Sequence, residues 1–230
     1  MRAREKFSFL KSLMALALIC LCLIAAQWQY HRGVDRHHRN SLIEANISAS
    51  QLTLDSATKN LTENEWRSVR TSGTFDATET ILVRNRYFEG KYGFEYLTLF
   101  NTVSGQKFWV DRGWLIAGKD ALTAPLVPTT PTGMVEVVGR LRLDSSLPIG
   151  SFFALPKSGN GLISKWNAQK EVTTEGFYLD LLSGSTEELT PNVSAQLPEL
   201  SDGPHMAYAL QWVFFAGLVG YGRILIRRSR

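Results

Sequence analysis

The amino-acid sequence predicts a membrane protein in which two transmembrane helices bracket a mainly antiparallel β domain, barrel-like or sandwich-like, outside the cytoplasm. Three observations predict this fold class. Two strongly apolar segments lie near the two ends of the 230-residue chain, basic side chains flank both, and the residues between them alternate as strands do. The predicted order is a cytoplasmic N-terminus, a first span, an extracytoplasmic domain, a second span and a cytoplasmic tail, over residues 1–11, 12–30, 31–203, 204–224 and 225–230.

The first apolar segment contains no polar side chain over residues 13–26. A helix needs roughly twenty mostly apolar residues to cross a bilayer, and residues 7–28 meet that length. Trp28 and Tyr30 supply an aromatic anchor at the membrane interface. A cleaved signal peptide is the alternative, because a basic start and small residues at the end of the segment also fit one. We expect an uncleaved anchor.

The second apolar segment, 206–226, contains only Gln211 and Arg223 as strongly polar residues. Four Lys/Arg precede the first span and four more close the chain, whereas residues 30–204 carry 17 Lys/Arg against 20 Asp/Glu. Because Lys and Arg accumulate on the cytoplasmic side of membranes, both termini are predicted to be cytoplasmic. The overall net charge of +4 thus reflects an orientation in the lipid bilayer and gives no support to nucleic-acid binding.

The two cysteines, Cys20 and Cys22, lie in the first span, so the exported part has no disulfide framework. Two positions apart on a helix, they point in nearly opposite directions, which favours small apolar filler over a metal pair. The polar segment after Tyr30 is predicted to continue the helix as a solvated, basic stem. The stem carries three of the four histidines: His31, His37 and His38.

From Trp66 onward the apolar pattern changes to a period of two, and β-branched and aromatic residues gather in short segments. Ser104-Gly105, between two of these segments, is a two-residue hairpin signal. Successive strands of this kind predict an antiparallel sheet or a partly closed barrel. The region 156–171 is predicted to be a long loop. The predicted strands are 79–88, 92–103, 106–116, 134–143 and 176–182.

The exported domain lacks the side chains of the common catalytic sites. Between His38 and His205 there is neither a histidine nor a cysteine. This excludes a Ser/His/Asp or Cys/His nucleophile there, and an ordinary zinc or copper site. Carboxylates remain, but the positions of Asp76 and Asp111 favour structural ion pairs over glycosidase chemistry. We therefore expect a protein that is not an enzyme.

Five short motifs occur along the chain: WQYHR after the first span, GTFD at 73–76, VDRGW at 110–114, GRL at 139–141 and GPHMAYALQW at 203–212. Their order resembles that in the Surfeit locus protein 1 family of cytochrome c oxidase assembly factors. The sequence resembles this family from about residue 13 to residue 225. VDRGW and the last motif are the specific ones. Within VDRGW, Arg112 is expected to pair a carboxylate while Trp114 packs into the sheet.

The resemblance implies a multi-pass protein of the bacterial plasma membrane. It also implies a role without turnover, in which haem a is taken from haem a synthase and supplied to the large subunit of cytochrome c oxidase. The family histidine proposed to touch haem corresponds to His205 in this sequence, and Gln29 and Arg32 match the polar pair after the first span. Gln27 stands where the family usually has a glycine, so close helix packing is not expected at that residue.

The residues themselves support a haem site at His205 and also allow other interpretations. His205 lies near a helix start, where the helix dipole favours the neutral imidazole that binds iron. Tyr208 and Trp212, three and seven positions on, provide an aromatic wall along one helix face. We expect His205 as metal ligand, with Tyr208, Trp212, Gln29 and Arg32 around the cofactor. The alternatives are an aromatic belt with a solvated histidine, and a membrane-anchored β-domain adaptor that binds a protein partner without a cofactor.

Overall fold

The computed structural model describes three parts of the chain, residues 7–119, 123–143 and 161–229. The expectations that fall outside these parts concern Arg2, Arg4, Lys6, Arg230 and residues 156–160. The chain divides into two compact units, one formed by Met1–Leu42 with Glu199–Arg230 and the other by Ile43–Pro198.

The described elements alternate between long helices at the two ends and strands in the middle. The helices are α1 Ser8–Ser48, α2 Leu54–Ala57, α3 Leu162–Lys170 and α4 His205–Arg228. The strands are β1 Leu52–Thr53, β2 Ser68–Phe88, β3 Lys91–Thr102, β4 Lys107–Ile116, β5 Val135–Leu143 and β6 Phe177–Gly184.

Helices α1 and α4 are both long and apolar enough to cross a membrane. Their most apolar 18-residue windows have mean hydropathies of 2.4 and 1.5, respectively. Helix α1 continues past Tyr30 without a break, which confirms the predicted helical stem. The two predicted spans are therefore present as helices with the length and composition of membrane spans.

In the first unit, α1 and α4 form an antiparallel pair. Arg223, near the end of α4, donates from Nη2 to the carbonyl of Ser8, near the start of α1, at 2.9 Å. At the opposite end of the pair, His205 lies 2.9 Å from Gln29. Small side chains let two helices approach closely. Those buried in the two helices are Cys22, Ala26 and Ala216.

The second unit is a closed β-barrel. Its strands follow the order β2-β3-β4-β6-β5, and β5 pairs with β2 to close the ring. Only the β4–β6 pair within the ring is parallel, while β1 adds to the outside of β2 in parallel. Strand β2 pairs with β5 as far as Gly73 and continues along β3 to Phe88, so Gly73 lies where the strand leaves the ring. The predicted antiparallel, barrel-like domain is confirmed.

The five predicted strands are all present, and the turns between the first three have a direct cause in the sequence. At the Ser104-Gly105 turn, Gly105 has a φ of 87° and donates its N–H to the Thr102 carbonyl at 3.1 Å. The turn between β2 and β3 places Glu89 and Gly90 at φ values of 50° and 75°. Two successive positive φ values form the tight turn whose twist matches a hairpin.

The predicted loop over 156–171 is wrong in its described part, because Leu162–Lys170 forms helix α3. Ile163 and Trp166 are three residues apart, so they lie on one helix face, and both are buried in a cluster with Trp109 of β4. A helix is too wide to lie inside a five-stranded barrel, so this cluster marks the outer face. Burial of these two side chains overrides the polar composition that suggested a loop.

Charged side chains are buried on the same outer face of the sheet. Asp180 pairs with Arg142, and their side chains are only 1% and 7% exposed. The Arg142 guanidinium lies 3.6 Å from the centre of the Trp66 ring, a cation–π distance. A second pair joins Arg86 Nε to Glu95 Oε2 at 2.6 Å. The outer face of the barrel thus buries ionic groups as paired and stacked side chains.

The expected ion pairs of Asp76 and Asp111 are wrong within the described residues. Asp111 is 3% exposed and accepts the backbone N–H of Gly113 at 2.9 Å. Asp76 accepts from the backbone N–H and hydroxyl of a threonine two residues on. Burial raises the pKa of Asp111 well above its usual range, and the nearby carboxylates of Glu95 and Asp180 act in the same direction.

Arg112 is buried, and within the described residues it does not form the expected pair with a carboxylate. It is 1% exposed, and its guanidinium donates to Thr130 Oγ1 at 2.8 Å and to the Thr129 carbonyl at 3.0 Å. The same guanidinium lies 5.1 Å from the centre of the Tyr96 ring. Trp114 is half-buried in the sheet rather than enclosed. The VDRGW motif therefore maintains the barrel through an arginine held by a loop and by aromatic rings.

Candidate functional site at the start of helix α4

His205 is the first residue of α4 and forms a hydrogen bond with α1. Its Nδ1 lies 2.9 Å from Gln29 Oε1, and both side chains are half-buried. The chain enters α4 through Pro204, whose φ is −84°. Proline removes a backbone donor that a helix start cannot use, so it suits this position. Two of the residues predicted to share a site are therefore in direct contact.

A glycine explains how closely the two helices approach beside His205. Gly33 lies one turn after Gln29 and is buried. A Cβ at Gly33 would lie 3.2 Å from Met206 Cε and 3.3 Å from His205 Cβ. Close packing was not expected at Gln27, which stands where a glycine is usual in the resembling family. In the structure, the close approach occurs at Gly33 instead.

A polar network holds the segment before α4 against α1. Asp202 accepts from Asn40 Nδ2 at 3.0 Å, and its other oxygen lies 2.8 Å from His37 Nδ1. The hydrogen bond from His37 lowers the pKa of Asp202, and the bond from Asn40 acts in the same direction. His37 therefore has a specific hydrogen-bond partner. The stem is not simply the solvated segment that the sequence predicted. This contact was missed by the sequence analysis.

One face of α1 provides all these contacts. Gln29, Gly33, His37 and Asn40 are spaced by four, four and three residues, which places them along a single helical stripe. We call this stripe the Gln29 face. Its periodicity was visible in the sequence, but the polar composition of the stem concealed it, because the residues facing α4 here are polar or small rather than apolar.

An apolar groove runs along the helix pair next to His205. Its volume is about 450 Å³, and the neighbouring Met206 contributes to its wall. The remaining wall is aliphatic except for Gln27 and Tyr30. The lining residues are Leu23, Ala26, Gln27, Tyr30, Met206, Ala209, Leu210 and Val213. The groove therefore suits the apolar body of a ligand.

The other predicted site residues lie nearby in sequence, and no hydrogen bond among the described residues joins their side chains to His205. Arg32 is exposed, one turn after Gln29, and forms no hydrogen bond or ion pair with any residue that the structure describes. Tyr208 is 47% exposed on α4. The Trp212 ring packs edge-on against Phe215, with centres 5.7 Å apart. The predicted aromatic wall is helical as expected, and its rings do not stack on one another.

The donor set at this site suits some metal centres and not others. Among residues 7–119, 123–143 and 161–229, no three His, Cys, Asp or Glu side chains are grouped so that they could hold a metal ion. A protein site for a bare ion needs three or four such ligands. A lone histidine suits a metal that brings its other ligands in a macrocycle, as haem iron does.

Comparison with known proteins gives a consistent result across most of the chain. A family model described as the SURF1 family matches residues 16–217. An uncharacterised SURF1-like protein of Mycobacterium bovis is 25% identical over 234 aligned positions, which cover 94% of this chain and 84% of the relative. Uncharacterised SURF1-like proteins of two Mycobacterium tuberculosis strains match with the same identity and coverage. The matched region includes both His205 and Gln29.

Proposed function

The chain belongs to the SURF1 family, known in general as cytochrome oxidase assembly factors, and from this premise we propose that it assists haem a delivery to a haem-copper oxidase. In this role it receives haem a from haem a synthase and passes it to the large oxidase subunit. No covalent bond of the cofactor is made or broken by the protein. The members of this family are assembly factors rather than typical enzymes.

The observation that supports the proposal is the hydrogen bond between His205 and Gln29, where His205 directly precedes Met206 of the apolar groove. Haem is an amphiphile with an apolar macrocycle, a metal that binds imidazole and two carboxylates. Aliphatic side chains suit the apolar macrocycle, and a half-exposed histidine beside them suits the metal. The exposed guanidinium of Arg32 offers a partner for a propionate. Haem a would supply its iron and macrocycle when bound, and His205 would be the residue that holds the iron.

The proposed placement is in the bacterial plasma membrane, with α1 and α4 crossing it and both termini in the cytoplasm. Arg227 and Arg228 in the last turn of α4 support this orientation. The β-barrel unit then lies on the outer side of the membrane. A phosphatase reporter fused after the last residue tests the orientation, because it is active only outside the cytoplasm, and an active fusion would contradict the proposal.

The decisive experiment compares His205→Ala with His31→Ala in cells that make haem a and the oxidase. His31 is a matched control, since it is an exposed histidine of the same helix pair that packs edge-on against Tyr30. We expect His205→Ala to remove haem a from the purified protein and to lower the haem a spectrum of the oxidase. The large subunit should still co-purify, because neither variant changes the barrel.

A protein-binding adaptor without cofactor remains the second candidate, supported by apolar side chains at one end of the barrel sheet. Tyr87 of β2 and Ile116 of β4 are 64% and 57% exposed. Tyr87 pairs with Tyr92 of β3, and Ile116 pairs with the next residue of β3, Gly93. If His205→Ala keeps normal haem a and oxidase levels while Tyr87→Ser with Ile116→Ser loses the co-purifying subunit, the adaptor function replaces the haem function.

A further inference from the structure

We infer that Gln29 is a positioning residue that fixes the tautomer of His205, with the proton on Nδ1 and the lone pair on Nε2. This inference rests on the proposed function only for the identity of the ligand that Nε2 would bind. Gln29 was grouped above with the residues around a cofactor. The structure assigns it instead to the far side of the imidazole, where it acts through His205 rather than on a ligand.

Gln29 and His205 meet through two defined side-chain atoms. The Gln29 atom at 2.9 Å from His205 Nδ1 is Oε1, which can only accept a hydrogen bond. A neutral imidazole carries one N–H, and with the amide in this orientation Nδ1 is the donor. Nε2 then keeps its lone pair, and that is the nitrogen form a metal requires. A hydrogen bond on the nitrogen opposite the metal also raises the basicity of the ligand.

The packing of the helices brings the backbone of α1 close to His205. A side chain at Gly33 would already meet His205 Cβ at 3.3 Å, so the backbone of α1 lies close against the base of the imidazole. Gln29 is one turn away on the same Gln29 face. The ring is thus held between a glycine at its base and an amide oxygen at Nδ1.

The choice of glutamine has a chemical consequence. A carboxylate at this position would also accept from Nδ1, but it would add a negative charge and favour the doubly protonated imidazolium, which cannot bind a metal. An amide oxygen selects the tautomer without adding charge. It does so at low cost beside an apolar groove, where an unpaired charge would be strongly disfavoured.

A second glutamine on the same helix provides a matched control. Gln27 is exposed, lies two residues before Gln29 and lines the groove, but has no hydrogen bond to His205. Gln27→Leu and Gln29→Leu therefore remove the same functional group from the same helix. Only the second removes the acceptor at Nδ1.

The test uses the full-length, cofactor-free protein in lipid nanodiscs with ¹⁵N-labelled histidine, and His205→Ala identifies the signals of His205. We expect a protonated Nδ1 and an unprotonated Nε2 in the unchanged protein and in Gln27→Leu. In Gln29→Leu the Nε2-protonated form should appear. Gln29→Glu should restore the Nδ1 proton, which separates the loss of an acceptor from a general structural effect.

Titration with haemin provides the second measurement. Removing a residue that orients a metal-binding histidine typically weakens binding by about 10- to 100-fold. We expect a loss of that size for Gln29→Leu. Gln27→Leu changes the groove wall but leaves the acceptor at Nδ1 in place, so its loss should be smaller. The remaining Gln29→Leu complex should have a more positive reduction potential, because the imidazole becomes a weaker donor.

Two results would overturn the inference. One is an Nε2-protonated His205 in the unchanged protein, which would mean that the Gln29 amide nitrogen donates instead. The other is a tautomer that does not change in Gln29→Leu. Haemin binding that survives His205→Ala would contradict the proposed function but leave the tautomer result standing, so the two failures are distinguishable.

Discussion

The barrel and the helix pair both keep polar side chains away from water, but they do so in opposite ways. In the barrel the buried groups are ionic, as in the Arg142–Asp180 pair, and their partners surround them on the outer face of the sheet. In the helix pair the half-buried groups are a neutral amide and an imidazole, and one edge of the imidazole remains available.

This difference distinguishes polar side chains that stabilise the fold from polar side chains that are available for binding. A buried ion pair is costly to form and still more costly to break, so it fixes a structure once all its partners are present. A half-exposed neutral pair contributes little to stability and can change partners. The two specific motifs divide accordingly: VDRGW supplies buried side chains of the barrel, and GPHMAYALQW supplies the end of α4 that faces the groove. Substitutions in the first should act on stability, and those in the second on binding.

The largest effect is expected for Arg142→Met in the barrel. It removes the cation and leaves the Asp180 carboxylate, 1% exposed, without its partner. Breaking one side of a buried pair costs about 3 to 5 kcal/mol. Thermal or denaturant unfolding measures this loss, with Arg84→Met on the exposed part of β2 as control. A loss below about 1 kcal/mol would mean that the ionic groups of the barrel are not structural.

The next effect is expected for Gly73→Ala, where β2 leaves the ring. A Cβ there would collide with the backbone carbonyl of Asn101 and with the Phe100 ring, which is fully buried. Overpacking of this kind costs about 3 kcal/mol. Gly176→Ala is the matched control, because no atom lies within 4 Å of its added methyl group. Equal stability of the two variants would show that β2 can shift at this corner without loss.

A smaller effect, a gain in stability instead of a loss, is expected for Asp111→Asn. Burial raises the pKa of Asp111, so the folded state keeps its proton to a higher pH than the unfolded state does. Above the ordinary carboxyl range the unfolded state ionises first, and stability falls until the raised pKa is passed. Asparagine can still accept the Gly113 N–H and does not ionise. The variant should therefore gain stability relative to the unchanged protein as pH rises from about 4 to 8.

Unfolding midpoints of both proteins across this pH range test the sign. A stability difference that stays constant with pH would mean that Asp111 ionises as readily in the folded barrel as in the unfolded chain. A difference that falls with rising pH would mean that the carboxylate is stabilised by its neighbours, and that the barrel favours its charged form.

The parts of the fold that the sequence predicts are those encoded by local periodicity. Five strands followed from alternation and turn chemistry, and the Ser104-Gly105 turn followed from glycine alone. Helix α3 was missed, because only Ile163 and Trp166 reveal its buried face and a nine-residue helix has little room for a pattern. The pairing of β4 with β6 is a long-range contact, which no local pattern encodes.

At the candidate site, the single residues were predictable and their arrangement was not. His205 and Gln29 were identified from a motif, but the contact between them depends on the register of two helices far apart in sequence. The role of His37 was hidden because its partner, Asp202, lies at the other end of the chain. Expected ion pairs failed for a similar reason, since Asp111 and Arg112 found backbone, hydroxyl and aromatic partners that composition does not reveal.

The smallest change in stability is expected for Gly33→Ala, which tests whether the helix pair tolerates what the barrel does not. The added methyl group would lie 3.2 Å from Met206 Cε, the end of a flexible side chain, and 3.3 Å from His205 Cβ. Replacing glycine by alanine inside a helix contributes about 1 kcal/mol of helix propensity, which offsets this crowding. We expect stability within about 0.5 kcal/mol of the unchanged protein, unlike Gly73→Ala.

Haemin binding by the Gly33 variants should respond differently, because His205 Cβ must move and the hydrogen bond from His205 to Gln29 must lengthen. Haemin affinity should fall in Gly33→Ala and fall further in Gly33→Leu, while the unfolding midpoint of the barrel stays unchanged in both. A Gly33→Leu variant with unaltered haemin affinity would show that the position of His205 against α1 does not govern binding. The polar side chains of the helix pair could then not be assigned to binding rather than to stability.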